Sequence, residues 1–303
     1  MPIAQNKDVS LTYETLGNPA DPAILLIMGL GMQLTSWPEI FCRGLVDKGF
    51  YVVRFDNRDA GLSTKMAHLG KPSLLLSYIK TILHLPLSAG YKLDDMAADA
   101  MAVLDAVNVR KAHIVGASMG GMIAQIVAAK YPNRALSLTS IMSTSGRRGL
   151  PGPTPEARRA IMSRPATPND LESVVRHLSN TFRIIGSPRF PTPDAELRAR
   201  ILASIKRNVN PAGVLRQLTA IAASGDRVEL LKGLRIRTLV IHGTSDPLVP
   251  IAGGRDVASL VPGAILREIE GMGHDFPPSL NATLVHMISA HCIEQRVPEM
   301  EYA

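Results

Sequence analysis

The sequence has few residues of the kinds that form disulfides or bind metals. Its 303 residues include two cysteines, Cys42 and Cys292, which lie far apart in the chain. A single disulfide would add little to a core of this size, so we expect reduced thiols and a cytoplasmic location. No paired histidines stand near the cysteines, so the sequence predicts no metal site, and we expect no cofactor.

Long apolar runs and a leader pattern are also missing. No apolar run approaches the roughly 20 residues that a membrane-spanning helix needs, so we expect no transmembrane segment. Residues 1–10 are polar and do not combine a basic segment, an apolar region and a cleavage site. We therefore expect no secretory signal peptide.

A short apolar run that ends in small residues is the most informative feature present. Residues 112–121 are A-H-I-V-G-A-S-M-G-G, so that Gly116 and Gly120 flank Ser118. A serine on a sharp turn from strand to helix needs small residues at these positions, because the strained backbone leaves no room for larger side chains. The Ala-rich, apolar residues 122–131 predict the buried helix that must follow. The pattern favours a nucleophile elbow over an ordinary strand-to-helix turn.

An aspartate and a histidine follow two later apolar runs. Asp246 comes just after the run 238–243, and His274 lies in a glycine-flanked loop after the run 265–269. The order Ser118, Asp246, His274 is the order that a nucleophile elbow predicts. A histidine can take the serine proton and return it, while an aspartate fixes the histidine tautomer. Singly, each could be an ordinary loop residue, but together we predict them to be a catalytic triad.

Two backbone N–H groups are predicted to form an oxyanion hole. Met119 directly follows the serine, and Leu30 lies in the Gly-Leu-Gly turn after the apolar run 24–28. A donor in each of these places is what the nucleophile elbow requires. A plain flexible turn is the alternative for the glycines around Leu30.

Two further motifs complete a resemblance to the α/β-hydrolase-fold serine hydrolases. The pattern D-x-R-x-x-G-x-S begins at Asp56, and H-G-x-x-D-x-x-V-P begins at His242. Residues 27–38, I-M-G-L-G-M-Q-L-T-S-W-P, followed by R-F-D-N-R-D-A-G-L-S, resemble bacterial carboxylesterases of the aclacinomycin methylesterase-like type. The resemblance runs from residue 11 to the last helix. Met28 departs from it, since many relatives have a histidine there.

Short apolar strands alternate with helical patterns along the chain. Predicted strands cover residues 9–16, 24–28, 51–55, 113–116, 136–142, 238–242 and 265–269. Predicted helices cover residues 35–48, 93–107, 120–131, 254–260 and 279–294. This alternation predicts an α/β fold with a mainly parallel central sheet and helices on both faces. We expect residues 1–146 and 238–303 to form the core, and residues 147–237 to form an inserted helical cap above the carboxyl ends of the strands.

The predicted cap carries the positive charge of the protein. It has 17 Lys and Arg against 7 Asp and Glu, a net charge of +10, while the rest of the chain has 16 against 19, a net charge of −3. This charge has three possible interpretations: a solvated face, steering of an acidic substrate, or peripheral contact with an anionic membrane. A homodimer is also possible. Phe182 and Phe190 are the cap's two aromatic residues. So few stacking residues argue against nucleic acid.

Aromatic and apolar side chains near the expected site are candidates for the substrate pocket. Trp37, Phe182 and Phe190 are predicted to line it, with core packing as the alternative for Trp37. Residues 73–87 are Leu-rich with helical spacing, which predicts an amphipathic helix. It would be ordinary core, a pocket wall, or a patch for a partner or lipid surface.

The motifs together predict hydrolysis of a small-molecule carboxylic ester through an acyl-enzyme intermediate. A serine at the elbow argues against dehalogenases and epoxide hydrolases. The resemblance implies that members of the fold with those activities carry an aspartate at this position. An iminopeptidase-like amide hydrolase is an alternative, although a basic cap suits a protonated amine poorly. The other alternative is a member of the fold that binds a ligand without catalysis, although such a protein would be expected to lack a triad residue.

Overall fold

The computed structural model describes residues 1–72 and 89–293, so the predicted helix at residues 73–87 lies outside the described residues. Within these ranges eight strands form one sheet in the order β1-β2-β4-β3-β5-β6-β7-β8. The strands are β1 (Ile3–Asn6), β2 (Val9–Leu16), β3 (Ala23–Ile27), β4 (Tyr51–Phe55), β5 (Ala112–Ala117), β6 (Ala135–Ile141), β7 (Thr238–Gly243) and β8 (Ile265–Ile269). β2 pairs antiparallel with both β1 and β4, and all other neighbours are parallel. The predicted α/β fold is confirmed.

The first strand was not predicted. β1 is a four-residue edge strand in which Ile3 is exposed and Ala4 is buried. One buried small residue is too little for a period-two pattern to show in the sequence. The pairing with β2 is therefore a tertiary feature.

The central strands divide the core into two apolar layers. In β3 every residue is buried, and successive side chains alternate between the two faces of the sheet. Leu25 packs in the layer that contains Met96 and Ile123, and Leu26 packs in the layer that contains Phe41. A parallel sheet covered on both faces needs such continuous apolar strands.

In the described part of the chain, five helices pack on the sheet. They are α1 (Glu39–Asp47), α2 (Leu93–Ala106), α3 (Met119–Lys130), α9 (Ala252–Leu260) and α10 (Asn281–Ile293). The helix predicted from residue 35 begins at Glu39 instead, after a separate 3₁₀ turn at Leu34–Ser36. Pro38 causes this difference, because a proline disfavours helical geometry at the residue before it.

The segment between β6 and β7, hereafter called the insertion, contains five more helices. They are α4 (Pro155–Met162), α5 (Leu171–Ile185), α6 (Asp194–Arg207), α7 (Pro211–Ala223) and α8 (Val228–Lys232). α5 and α6 form a small apolar cluster of their own around Val175 and Leu197. By contrast, Ala220 of α7 and Leu231 of α8 belong to the main core. The division of the chain at residues 147 and 237 stays a prediction.

None of the helices in the described ranges combines the length and the apolar character needed to cross a bilayer.

Candidate active site

Ser118 lies on a sharp turn between β5 and α3. Its backbone has φ 56° and ψ −120°, a conformation that residues with a side chain rarely adopt. A Cβ at Gly116 would lie 2.1 Å from the Gly120 carbonyl oxygen, and a Cβ at Gly120 would lie 2.0 Å from the Ile27 carbonyl oxygen. The predicted strand-to-helix turn is therefore present, and only glycine fits at both flanking positions.

The loops after β5, β7 and β8 bring the three predicted triad residues together. His274 Nε2 lies 2.9 Å from Ser118 Oγ, and His274 Nδ1 lies 2.7 Å from Asp246 Oδ2. These loops meet because the carboxyl ends of parallel strands share one edge of the sheet, where α/β proteins bind their ligands. The result is a continuous hydrogen-bonded chain from carboxylate to hydroxyl.

The surroundings of Asp246 keep its carboxylate charged. Burial alone would raise the pKa of Asp246, but attraction to His274 and hydrogen bonds from His242, His274 and the Val249 N–H group lower it to about 2. Oδ1 accepts hydrogen bonds from the backbone of Leu248 at 2.9 Å and of Val249 at 2.8 Å. An ionised carboxylate only accepts hydrogen bonds, so the proton between Asp246 and His274 belongs to Nδ1. His274 Nε2 is then the atom free to accept the serine proton.

The turn that carries Leu30 packs directly against the serine. A Cβ at Gly29 would lie 3.1 Å from Ser118 Cβ. Met119 is the first residue of α3, so its N–H group is among those that the helix itself leaves without an acceptor. Among residues 1–72 and 89–293, neither the Met119 nor the Leu30 N–H group has a protein acceptor. Their role as an oxyanion hole stays a prediction.

Side chains from elsewhere in the chain hold this turn and the elbow. Gln217, on α7, is fully buried. Its Oε1 accepts from the Gly31 N–H group at 2.7 Å, and its Nε2 donates to the Arg58 carbonyl at 2.7 Å. Ser143 Oγ donates to the Ser118 carbonyl at 2.8 Å. The sequence analysis missed both residues, because neither lies in a recognisable motif.

The motif residues Asp56 and Arg58 build the loop after β4. Asp56 accepts from the backbone of Leu34 at 2.7 Å and of Leu62 at 2.8 Å. Arg58 pairs with the fully buried Asp99 at 2.6 Å. These contacts are structural, because they hold the loop after β4 against α2 and against the start of the 3₁₀ turn at Leu34–Ser36.

The three residues predicted for the substrate pocket lie apart from one another. Trp37 has no exposed surface and packs against Phe41 and Phe276, with ring centroids 5.4 and 5.0 Å apart. Phe190 packs against the same apolar layer, whereas Phe182 packs in the insertion's own cluster. The structure thus places Trp37 in the core. A role for any of the three in binding substrate stays a prediction.

No group of three His, Cys, Asp or Glu side chains within the described part of the chain is arranged to hold a metal ion.

Comparison with known proteins assigns the class. A family model for the alpha/beta hydrolase fold matches residues 22–277, and the chain belongs to that family. Two relatives resemble it over nearly their whole length. The rhodomycin D methylesterase DnrP of Streptomyces peucetius is 31% identical, covering 94% of this chain and 96% of that protein. DauP, the rhodomycin D methylesterase of Streptomyces sp. strain C5, is 30% identical, covering 94% and 95%. Within the family, the chain thus resembles esterases of the aclacinomycin methylesterase type.

Solved structures agree on the fold. The enol-lactonase from Burkholderia xenovorans LB400 has a TM-score of 0.70 at 22% identity, covering 97% of this chain and 100% of that one. The esterase EaEST from Exiguobacterium antarcticum has a TM-score of 0.74 at 18% identity, covering 96% and 99%. The family and the methylesterase relatives support ester hydrolysis as the activity.

Proposed function

We propose that the protein hydrolyses a carboxylic ester through an acyl-enzyme intermediate on Ser118. The observation that carries this proposal is the unbroken hydrogen-bonded chain from Asp246 through His274 to Ser118. A serine hydroxyl is a weak nucleophile until a neighbouring base takes its proton. The imidazole of His274 is positioned to do so, and the charged Asp246 stabilises the imidazolium that results.

The reaction divides into two halves, and in each half His274 first takes a proton and then gives it away. As Ser118 Oγ attacks the ester carbonyl, its proton moves to His274 Nε2, and the N–H groups of Met119 and Leu30 hold the oxygen that becomes negative. His274 then gives the proton to the leaving alcohol, and the acyl group stays on Ser118. A water molecule, deprotonated by His274, attacks that acyl group and releases the acid. The serine recovers its proton from the same histidine.

The alcohol that leaves is proposed to be methanol. DnrP and DauP are named as methylesterases, and they match this chain over nearly its full length. The acid part would face the insertion, which we propose acts as a cap over Ser118. Selectivity among methyl esters would then depend on the shape of the cap, since pockets of this kind discriminate by a few placed contacts.

The experiment that tests this proposal compares the native protein with Ser118→Ala on methyl and p-nitrophenyl esters of increasing acyl length. We expect clear turnover by the native protein and a loss of at least about 10³-fold in kcat for Ser118→Ala. Ser163→Ala is the matched control, because that hydroxyl bonds only to the Ala160 carbonyl in the insertion. It should leave kcat unchanged.

Two outcomes would contradict the proposal. Ester turnover that survives in Ser118→Ala would exclude the serine as nucleophile. A folded native protein that hydrolyses no ester, yet releases proline from proline amides, would favour the amide hydrolase instead.

A further inference from the structure

The loop that carries His274 is bonded along its length to the insertion. The His274 N–H group donates to the Ile185 carbonyl at 2.7 Å, at the last residue of α5. Four residues after Ile185 and three residues before His274, the Arg189 N–H group donates to the Gly271 carbonyl at 3.3 Å. The residues after α5 therefore run beside the histidine loop and share its backbone hydrogen bonds.

One buried side chain of the insertion bridges the two neighbours of His274. Ser187 is 3% exposed. Its Oγ accepts a hydrogen bond from the Gly273 N–H group at 2.9 Å and donates one to Asp275 Oδ1. A hydroxyl can donate once and accept once in this way, so a single Ser187 side chain fixes the residues on both sides of His274.

The residues after α5 and the loop that carries His274 lie in direct backbone contact. A Cβ at Gly273 would lie 2.2 Å from the Gly186 carbonyl oxygen. The backbones thus touch beside His274, and the Ser187 hydroxyl lies at that contact. A shift of the residues after α5 would move the histidine loop with it.

The Asp275 carboxyl makes this bridge costly to break. Burial raises the pKa of Asp275, and this outweighs the hydrogen bonds from the Ser187 hydroxyl and N–H group, which lower it. Loss of the hydroxyl would leave Asp275 with fewer donors and the buried Gly273 N–H group without its acceptor. An unsatisfied buried polar group destabilises the folded state, so the loop would rearrange to relieve it.

We propose that Ser187 is a positioning residue for His274, so that the insertion sets the catalytic geometry as well as covering the site. The inference rests on the function proposed above. Ser118 and Asp246 are held by core elements, whereas His274 must keep contact with both while a proton moves between Ser118 and the leaving group. A displacement of about 1 Å can cost on the order of 10²-fold in rate. Ser187 would limit that displacement without touching the substrate.

The test compares Ser187→Ala with Thr181→Val. Thr181 is also buried, but its hydroxyl bonds only within α5, to the His177 carbonyl at 3.0 Å. With an activated ester, we expect Ser187→Ala to lower kcat about 10- to 100-fold and to change KM less than about twofold. Ser187→Thr, which keeps the hydroxyl, should recover most of kcat, and Thr181→Val should change neither constant. Native kcat in a folded Ser187→Ala protein would overturn the proposal and reduce Ser187 to a structural contact.

A second measurement separates this inference from the proposed function. A fluorophosphonate phosphonylates an activated serine and releases fluoride without any ester being hydrolysed. We expect its reaction rate with Ser118 to fall about 10-fold or more in Ser187→Ala and to be unchanged in Thr181→Val. If the native protein hydrolyses no ester, the proposed function fails, and this labelling rate alone decides about Ser187.

A third variant covers the case in which Ser187→Ala does not fold. Asp275→Ala removes the acceptor of the Ser187 hydroxyl and N–H group and leaves the bond between that hydroxyl and Gly273 in place. We expect kcat to fall about 3- to 10-fold with KM unchanged. Native kcat in this variant would count against the bridge.

Discussion

A single carboxylate determines the protonation pattern of the site. Asp246 is buried, yet it accepts two backbone N–H groups on one oxygen and the His274 ring on the other. His242, whose Nε2 lies 3.5 Å from Asp246 Oδ2 and 2.7 Å from the Val249 carbonyl, supports the same loop. A buried charge is tolerated only when its oxygens are satisfied in this way. The motif that joins His242 to Asp246 therefore has a structural role, because it fixes the position of the carboxylate.

The low pKa of Asp246 predicts a pH-dependent contribution to stability. Since the pKa is lowered from 3.8 to about 2 on folding, the ionised carboxylate stabilises the fold fully above the higher value. This stabilisation, about 2 kcal/mol, disappears as the pH falls through the lower value. Asp246→Asn has no such titration. Urea unfolding should thus show the stability gap between native protein and Asp246→Asn shrinking between pH 5 and pH 2, and a constant gap would refute this account.

At the scale of elements, the elbow depends on contact between the helix, the strand before it and a neighbouring strand. Gly120, the second residue of α3, lies directly against the end of β3, where the Ile27 carbonyl leaves no room for a methyl group. A clash between two backbone segments cannot be relieved by a small rotation, as a clash with a flexible side chain can. The shape of the turn is therefore set by close packing as much as by local conformation.

Gly120→Ala should consequently destabilise the protein strongly. We expect a loss of at least about 3 kcal/mol in the free energy of unfolding, together with loss of ester hydrolysis, because β3 and α3 must separate. Gly152→Ala is the matched control, since a Cβ there meets nothing within 4 Å. Its stability should stay within about 1 kcal/mol of native. Equal urea midpoints for the two variants would show that α3 tolerates the methyl group.

The sequence predicted the elements that have a strong local pattern. β2, β4 and β8 have the predicted bounds, β7 is one residue longer at one end, and β3, β5 and β6 differ from the prediction by one residue at both ends. Their apolar runs are continuous or alternate, and turn residues bound them. β1 lacked such a pattern, and Pro38 moved the start of α1. The helices of the insertion were expected only as a group, because their patterns did not define individual bounds.

The candidate site divides in the same way. Ser118, Asp246 and His274 could be predicted because each follows a strand in a characteristic local motif. Ser187 and Gln217 could not, since their partners Asp275 and Gly31 are 88 and 186 residues away in the chain. Such contacts exist only after the insertion has packed on the core, and no periodicity in one sequence reports them.

Across the whole molecule, part of the insertion's positive charge holds it to the core. Arg207 pairs with Asp56 at 2.8 Å, Arg216 pairs with Asp59 at 2.6 Å, and Arg147 pairs with Asp256 at 3.1 Å. Arg227 is buried and bonds to Gln125 and the Thr144 carbonyl. The guanidinium groups of Arg207, Arg216 and Arg227 face inward, whereas Arg147 is exposed. The net charge of +10 therefore overstates the field that the insertion presents to a substrate or a surface.

The pair of Arg216 and Asp59 is the strongest of these attachments. Asp59 is 1% exposed and receives two hydrogen bonds from Arg216 and one from the Tyr91 hydroxyl. Burial raises the pKa of Asp59, but these hydrogen bonds outweigh it and lower the pKa below its usual value. Without Arg216 the burial would dominate. The carboxylate would then be a buried charge that has lost its paired guanidinium group.

Arg216→Met should therefore cost about 3–5 kcal/mol in the free energy of unfolding at pH 7. The cost should be smaller at pH 4, because a raised pKa lets the unpaired Asp59 bind a proton in the folded state, and that stabilisation is lost as the pH rises. Arg198→Met breaks a pair with Glu172 in which both side chains are about half exposed, and should lower the free energy of unfolding far less than Arg216→Met does. Adding Asp59→Asn to Arg216→Met removes the unpaired charge and should restore part of the loss. If urea unfolding instead shows the two arginine variants to be equally stable at pH 7, the insertion is held by its apolar contacts, and its charge is free to act on the substrate.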